Sequence, residues 1–210
     1  MTTEWLDDIR KSYDTVAAPY ADQVGKLFAA APHQHAAMAA FADLVRTAGA
    51  GPVADIGCGP GHVTAHLREL GLDAFGLDLS PAMIDLARRD HPGSRFLVGS
   101  MTALPLADDA VAGLLAWWSL IHLPDDVVPA VLAGFRRVLR AGGPLLLGFH
   151  VGDEAVPKTK GYGGHPMHVH VHRRRPERMG SWLREAGFTV EVQTIVRPED
   201  EVPSAILFAR

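Results

Sequence analysis

The chain has 210 residues, of which 48% are hydrophobic and 21% charged, and its formal net charge is −4 with neutral histidines. This composition is typical of one globular domain with a substantial core and excludes a disordered chain. The acidic balance argues against a nucleic-acid partner. Cys58 is the one cysteine, so an internal disulfide is excluded. The acidic N-terminus lacks an apolar targeting segment, and the sequence predicts a cytoplasmic monomer or homodimer without membrane association.

Residues 1–48 predict two helices. Apolar residues recur at helical spacing between Trp5 and Tyr13, and Pro19 is expected to end or kink this first helix. The alanine-rich segment Ala36–Ala48 predicts a second helix, which glycines and Pro52 bring to an end. We interpret residues 1–48 as a helical lid and residues 49–210 as the core.

After Pro52, short apolar strands alternate with amphipathic helices. Seven strands are predicted, at 53–56, 72–77, 95–98, 111–117, 145–149, 188–196 and 205–209. Helices are predicted at 63–70, 81–89, 125–139 and 177–186, the second of them with Ser80 as its N-cap. The alternation indicates an α/β fold with a mostly parallel sheet and helices on both faces. The last two strands are close enough in sequence to be antiparallel, and an insertion is expected at about 150–175.

A glycine-rich segment carries the strongest functional signal. The residues Val53-Ala54-Asp55-Ile56-Gly57-Cys58-Gly59-Pro60-Gly61 connect a predicted strand to a predicted helix. Glycines at such a turn let the backbone approach a ligand closely, and the following helix offers free N–H groups. His62 stands where the dinucleotide-binding pattern has its third glycine. A carboxylate at Asp55 favours a ligand with a positive amine over a pyrophosphate.

Asp78 is the second element of this pattern. It lies at the end of the second predicted strand, 21 residues after Gly57. A carboxylate at this edge of a parallel sheet can accept hydrogen bonds from both hydroxyls of a ribose.

With these two elements the sequence resembles the class I S-adenosylmethionine-dependent methyltransferases that act on small molecules, from about Tyr13 to Gly148. The resemblance implies a Rossmann-like, seven-stranded sheet with an antiparallel last strand, S-adenosylmethionine as cofactor and a small-molecule acceptor. It implies that the cofactor's methionine portion is held by the loop residues Asp55, Gly57, Cys58, Gly59 and Gly61. By the same resemblance Asp78 holds the ribose, and Leu79 and Met83 flank the adenine.

Two further segments match the family, one of them with a departure. The segment Gly99–Leu106 corresponds to the adenine-contacting loop, but Ser100 replaces the usual acid, and the backbone of Met101 can supply the contact instead. The segment Tyr13-Asp14-Thr15-Val16-Ala17-Ala18-Pro19-Tyr20 resembles the family's aromatic N-terminal helix. Tyr13 and Tyr20 are therefore expected to close over the cofactor, with helix packing as the alternative.

Candidate catalytic residues follow the fourth and fifth predicted strands. His122 and His150 are each expected at the ligand-binding edge, where a neutral imidazole can take a proton from the acceptor. A structural role is the alternative for both. Of the adjacent Trp117 and Trp118, Trp117 is the better candidate for lining the acceptor pocket.

The segment from His165 to His172 contains four histidines. In an extended conformation His168, His170 and His172 share one face. A polar strand is favoured over a zinc site, because supporting ligands are not evident, and no metal is expected. The adjacent run Arg173–Arg175 is expected to be a solvated patch, with contact to an anionic acceptor group as the alternative.

The sequence thus predicts transfer of the methyl group of S-adenosylmethionine to an oxygen, nitrogen or carbon atom of a small molecule. Two alternatives remain at this point. One is a nicotinamide-dependent oxidoreductase, against which His62 and Asp55 argue. The other is a non-catalytic cofactor-binding protein, for which Ser100 gives some support.

Overall fold

A computed structural model describes residues 4–210. Its six α-helices are α1 (Glu4–Ala29), α2 (Pro32–Thr47), α3 (His62–Glu69), α4 (Pro81–Asp90), α5 (Val128–Val138) and α6 (Pro176–Glu185). Its nine strands are β1 (Pro52–Ile56), β2 (Asp73–Asp78), β3 (Arg95–Val98), β4 (Gly113–Trp117), β5 (Leu145–His150), β6 (Ala155–Lys160), β7 (Pro166–His172), β8 (Val190–Val196) and β9 (Ser204–Ala209). No helix among residues 4–210 is long and apolar enough to cross a membrane.

Seven strands form the main sheet, in the order β3-β2-β1-β4-β5-β9-β8. Strands β1 to β5 are parallel, and β9 pairs antiparallel with both β5 and β8. The predicted mostly parallel sheet with an antiparallel last strand is therefore confirmed. The strand order reverses between β1 and β4, and ligands bind at such a reversal, outside the carboxyl ends of the strands.

The central strands are buried on both faces because helices cover both. In β4, Leu114 and Ala116 belong to the core cluster with α5 and α6. Leu115 and Trp117 belong to the opposite cluster with α2 and α3. Alternate residues of a strand point to opposite faces, which is why the whole of β4 is apolar.

The first helix continues through Pro19, so the expected helix end at this residue is wrong. Val16 and Ala17, just before the proline, are buried, and the Tyr20 ring packs against Tyr162. Packing on both sides outweighs the one hydrogen bond that a proline removes from a helix. The division into a lid and a core remains a prediction, and residues 1–3 of the proposed lid lie outside the described residues.

The fifth helix begins at Val128 rather than at the predicted Asp125. The carboxylate of Asp125 does not cap this helix, because it accepts one hydrogen bond from Arg174 and lies 3.0 Å from Arg178. Asp125, the predicted first residue of the helix, is therefore used in a contact with a distant part of the chain.

Strands β6 and β7 form a separate antiparallel hairpin within the expected insertion. Along β7, Met167 and Val169 are buried against Val16 of α1, while His168 and His170 point away. The backbone N–H of His168 donates to the Ser12 hydroxyl at 2.8 Å. The hairpin therefore rests on α1, above the carboxyl ends of the sheet strands.

Candidate functional site

The glycine loop lies between β1 and α3, and its glycines have left-handed backbone conformations, with φ of 78° at Gly57 and 53° at Gly59. A Cβ atom at Gly57 would lie 2.3 Å from the Ser119 Cβ, which leaves no room for a side chain. At Gly59 the nearest atom to such a Cβ is Cε1 of Tyr20, at 3.6 Å. Gly57 is thus required for packing, whereas Gly59 faces the space beneath Tyr20, where a ligand can approach the backbone.

The third glycine of the loop has a packing role. A Cβ atom at Gly61 would lie 2.7 Å from Cζ of Phe96. The next residue, His62, bonds through Nε2 to the carbonyl oxygen of Ala21 at 3.0 Å and so connects α3 to α1. Of the predicted loop residues, Gly61 is the one that does not line a cavity beside the loop.

Asp78 lies at the carboxyl end of β2 and holds the glycine loop. One carboxylate oxygen accepts the backbone N–H of Gly59 at 2.8 Å, and the other accepts that of Ser80 at 2.9 Å. Desolvation raises the pKa of Asp78, while these two hydrogen bonds act in the opposite direction. The carboxylate keeps further lone pairs that can accept hydrogen bonds from a ligand.

Asp55 is buried one strand away, at the end of β1. Its carboxylate accepts the hydroxyl proton of Thr64 at 2.6 Å. Burial raises the pKa of Asp55 to about 7, against the opposing effect of the Thr64 hydrogen bond. A bound cation would stabilise the ionised form of this carboxylate.

Asp14 fastens the first helix to the site, a contact that the sequence reasoning missed. Its carboxylate accepts the Ser80 hydroxyl proton at 2.6 Å and the backbone N–H of Ala82 at 3.2 Å. The Ser80 oxygen itself accepts the Met83 N–H, which confirms Ser80 as the N-cap of α4. Asp14 is thus bound at the positive end of α4. The available signal was its position beside Tyr13 in the segment that resembles the family.

Three tyrosines cover the loop. Tyr13 and Tyr20 of α1 meet edge to face at a centroid distance of 5.5 Å, and Tyr20 meets Tyr162 of the hairpin at 4.7 Å. Burial raises the pKa of both Tyr13 and Tyr20, so both hydroxyls stay protonated. Tyr162 joins the hairpin to this cluster, a contribution that the sequence reasoning did not include.

His122 is 8% exposed and has partners at both ring nitrogens. Its Nδ1 lies 2.8 Å from the carbonyl oxygen of His170, and its Nε2 lies 2.6 Å from the Tyr13 hydroxyl. Burial lowers the pKa of His122 to about 4, with the charge of Lys158 acting in the same direction. The imidazole is therefore neutral at neutral pH.

His150 lies apart from His122. Its Nδ1 accepts the indole N–H of Trp118 at 3.4 Å, and desolvation lowers its pKa, helped by the charge of Arg173. The neighbouring Trp117 donates its indole N–H to Gln34 at 3.0 Å. Trp118 has a left-handed φ of 50°, a strained conformation of the kind found at functional sites, and it is the more exposed of the two indoles.

Two adjoining cavities contain most of the predicted residues. The first is lined by Leu6, Ile9, Tyr13, Tyr20, Gly57, Gly59, Leu77, Asp78, Leu79, Met83, Gly99, Ser100, Met101, Trp117, Trp118, Ser119, His122 and Leu123. The second is lined by Tyr13, Tyr20, Val24, Leu27, Phe28, Gln34, Asp55, Gly57, Cys58, Pro60, His62, Val63, Trp117, Trp118, Ile121, His150 and Tyr162. The two share Tyr13, Tyr20, Gly57, Trp117 and Trp118, so together they form one elongated site.

The predicted adenine residues lie together in the first cavity, with one change of role. Leu79, Met83, Ser100 and Met101 all line it. The Ser100 oxygen accepts the N–H of Thr102 at 3.2 Å and caps a short 3₁₀ turn. Part of the hydrogen-bonding capacity of this serine is therefore used within the loop.

The histidine face of β7 lines a third cavity, on the other side of His122. His168, His170 and His172 border it together with Lys158 of β6. Within residues 4–210, no cluster of three or more histidine, cysteine, aspartate or glutamate side chains is arranged to hold a metal ion.

The expectation of a solvated arginine patch is wrong for Arg174, which is 2% exposed. Its guanidinium donates to Asp125 at 2.8 Å and to the carbonyl oxygens of Leu120 and Leu123. Those carbonyls flank His122, so Arg174 supports the backbone that carries this histidine. Arg175 meets the expectation and pairs with Asp153 at the surface.

Comparison with known proteins agrees with this geometry. Residues 53–143 match the family described as "Methyltransferase domain". A malonyl-[acyl-carrier protein] O-methyltransferase of Pectobacterium atrosepticum is 35% identical over 118 residues, which is 49% of this chain and 44% of that protein. An uncharacterized methyltransferase of Mycobacterium tuberculosis is 36% identical over 116 residues, 54% of this chain and 46% of that protein. The chain thus spans less than half the length of these curated relatives.

Solved structures share the fold. The DhpI complex with S-adenosylhomocysteine aligns over 100% of this chain and 98% of its own, with a TM-score of 0.75 at 22% identity. A methyltransferase of Methanosarcina mazei aligns over 77% of this chain and 92% of its own, with a TM-score of 0.67 at 17% identity. Residues 53–143 thus match the methyltransferase domain family, and the chain shares the fold of these solved structures.

Proposed function

We propose that the protein binds S-adenosylmethionine and transfers its methyl group to a small-molecule acceptor, releasing S-adenosylhomocysteine. The observation that carries this proposal is the hydrogen bond from the glycine loop to Asp78. The loop lies where the strand order reverses, and its residues line both of the joined cavities. Such a site accommodates an elongated ligand with an adenosine at one end and an amino acid at the other.

The residues present fit this cofactor. Asp78 would hold the ribose, and the side chains of Leu79 and Met83 would flank the adenine in the first cavity. In the second cavity Asp55 would balance the cofactor's ammonium group. In the first cavity Gly59 leaves its backbone open beneath Tyr20. When bound, S-adenosylmethionine supplies an electrophilic methyl group on a sulfonium.

The protein's own contribution is positioning and exclusion of water. Tyr13 and Tyr20 of α1, with Tyr162 of the hairpin, cover the junction of the two cavities. We infer that α1 and the hairpin together act as the lid, because Asp14 and Ser12 fasten them to the core and to one another. Holding two reactants in line can supply much of the rate of such a transfer.

A small acceptor is favoured by this enclosure. The curated relatives named malonyl-[acyl-carrier protein] O-methyltransferase act on a carrier-linked acyl group, by their names. In this chain the cavity beside Trp118 and His150 is covered by α1 and Tyr162, which favours a free small molecule.

Turnover tests the proposal. The protein is incubated with S-adenosylmethionine and pools of small hydroxyl, amine and carboxylate compounds, and S-adenosylhomocysteine is quantified by mass spectrometry. We expect formation above the protein-free level with at least one pool, and a large loss in Asp78→Ala. Asp73→Ala, at the exposed start of the same strand, is the matched control and should retain activity. Cofactor binding without turnover on any pool would support the non-catalytic alternative.

A further inference from the structure

The hydrogen bonds around His122 define where its protons are. The His170 carbonyl can only accept, so the His122 Nδ1, 2.8 Å away, carries the hydrogen. In a neutral imidazole the other nitrogen, Nε2, then has a free lone pair. The Tyr13 hydroxyl, 2.6 Å from Nε2, must therefore donate its proton to the histidine.

The direction of this hydrogen bond determines whether Tyr13 presents a donor or an acceptor to the cavity. With its proton directed at His122, the Tyr13 oxygen presents lone pairs and no donor. Tyr13 lines both cofactor cavities and belongs to the five residues at their junction. A ligand group that meets Tyr13 there must itself be a hydrogen-bond donor.

The side chains around the two cavities favour a neutral acceptor group over an anionic one at Tyr13. Among residues 4–210, no lysine or arginine lines either cavity. The ammonium of Lys158 lies over the Tyr162 ring, 4.3 Å from its centroid, and borders the third cavity instead. An anionic acceptor group beside Tyr13 would have no cationic side chain as a partner and would face the lone pairs of the Tyr13 oxygen. A neutral acceptor has no such cost.

The walls of the second cavity favour a flat ring. Besides Tyr13 and two histidines, five aromatic side chains line this cavity, namely Tyr20, Phe28, Trp117, Trp118 and Tyr162. Aromatic groups in such a cavity stack or pack edge to face on a planar ligand. A hydroxyl on a ring is also far more acidic than one on an alkyl chain, which suits the weak base that the buried His122 provides.

We propose, on the basis of the proposed function, that the acceptor is a neutral aromatic compound whose phenolic hydroxyl donates to Tyr13. In the transfer the acceptor oxygen gives its proton to the Tyr13 oxygen, while the proton of Tyr13 passes to Nε2 of His122. The oxygen's electron pair forms the bond to the methyl carbon, and the pair of the broken sulfur–carbon bond remains on sulfur. One positive charge, first on the sulfonium and then on the imidazolium, is present throughout. Tyr13 is then the catalytic residue, and His122 acts through it.

Ligand binding tests this assignment without turnover. With S-adenosylhomocysteine present, 2-naphthol and 2-naphthoate share a ring system and differ in the group that would meet Tyr13. We expect 2-naphthol to bind at least about 10-fold more tightly than 2-naphthoate. Tyr13→Phe should remove most of this preference, and a titration of the variant with S-adenosylhomocysteine checks that its cofactor site still forms.

The state of the histidine gives a second readout. Spectra of protein labelled with ¹⁵N-histidine should show His122 protonated at Nδ1 and unprotonated at Nε2, with the Nε2 signal shifted in Tyr13→Phe. Equal or tighter binding of 2-naphthoate, binding of neither compound, or a proton on Nε2 would each overturn the assignment. If S-adenosylhomocysteine binds but the expected naphthol preference or His122 protonation state is not observed, the acceptor assignment alone is wrong. If S-adenosylhomocysteine does not bind, the proposed function fails as well.

Discussion

The carboxylate of Asp78 accepts the backbone N–H of Gly59 at 2.8 Å, so the end of β2 fixes the loop that follows β1. Replacing Asp78 with alanine removes this bond and the proposed ribose contact together. We expect Asp78→Ala to weaken S-adenosylmethionine binding by about 1–3 kcal/mol, measured by calorimetry. Asp73→Ala, on the exposed end of β2, is the control. An unchanged affinity in Asp78→Ala would contradict the ribose assignment.

Proton release on binding tests the role of Asp55. Its pKa is raised to about 7 by burial, so near pH 7 a fraction of the protein carries the protonated acid. A cationic ligand beside it favours the carboxylate, so S-adenosylmethionine binding should expel protons, and the affinity should increase as pH rises through 7. Calorimetry in buffers of different ionisation enthalpy measures this release. Asp55→Asn should release fewer protons, and equal release in both proteins would show that Asp55 does not take part.

The stability of the protein should reflect the buried His122. Its pKa is about 4 in the folded protein and near the ordinary value of 6.5 when unfolded. Between these values the unfolded chain binds more protons, so stability falls as pH decreases from 6.5 to 4. The free energy of unfolding of the wild type, relative to His122→Gln, should therefore fall by about 3 kcal/mol over this range. Parallel pH profiles for the two proteins would argue against a buried, neutral His122.

The adjacent Arg174 and Arg175 form a matched pair for mutation. Arg174→Met leaves the carbonyls of Leu120 and Leu123 without their buried donor, and should lower the free energy of unfolding by about 2–4 kcal/mol. Arg175→Met removes only an exposed ion pair with Asp153 and should change it by less than about 0.5 kcal/mol. Urea denaturation of both variants gives the comparison. Similar effects of the two substitutions would mean that Arg174 does not support the His122 loop.

The sequence was informative where the determining contacts are local. The strands at Pro52–Ile56 and Arg95–Val98, and the cap at Ser80, follow from apolar runs and from residues that need specific backbone conformations. Asp78 was identified because its distance in sequence from the glycine loop reflects one strand–helix–strand unit. In these cases the residues that determine the structure all lie within one strand–helix–strand segment of about 30 residues.

Contacts between distant segments could not be predicted in the same way. Tyr13 and His122 are separated by 109 residues, and Asp14 and Ser80 by 66. Arg174 lies in a run of three arginines that reads as a surface patch, and only the folded chain shows that it binds the carbonyls beside His122. Tertiary packing also overrides local preference at Pro19, where α1 continues.

Calorimetric titration of the purified protein with S-adenosylmethionine, S-adenosylhomocysteine and NADH tests the central claim most directly. We predict that both sulfur ligands bind at one site per chain, that Asp78→Ala weakens both, and that NADH gives no saturable binding. Saturable NADH binding, or no binding of either sulfur ligand, would contradict the assignment of the two joined cavities to S-adenosylmethionine.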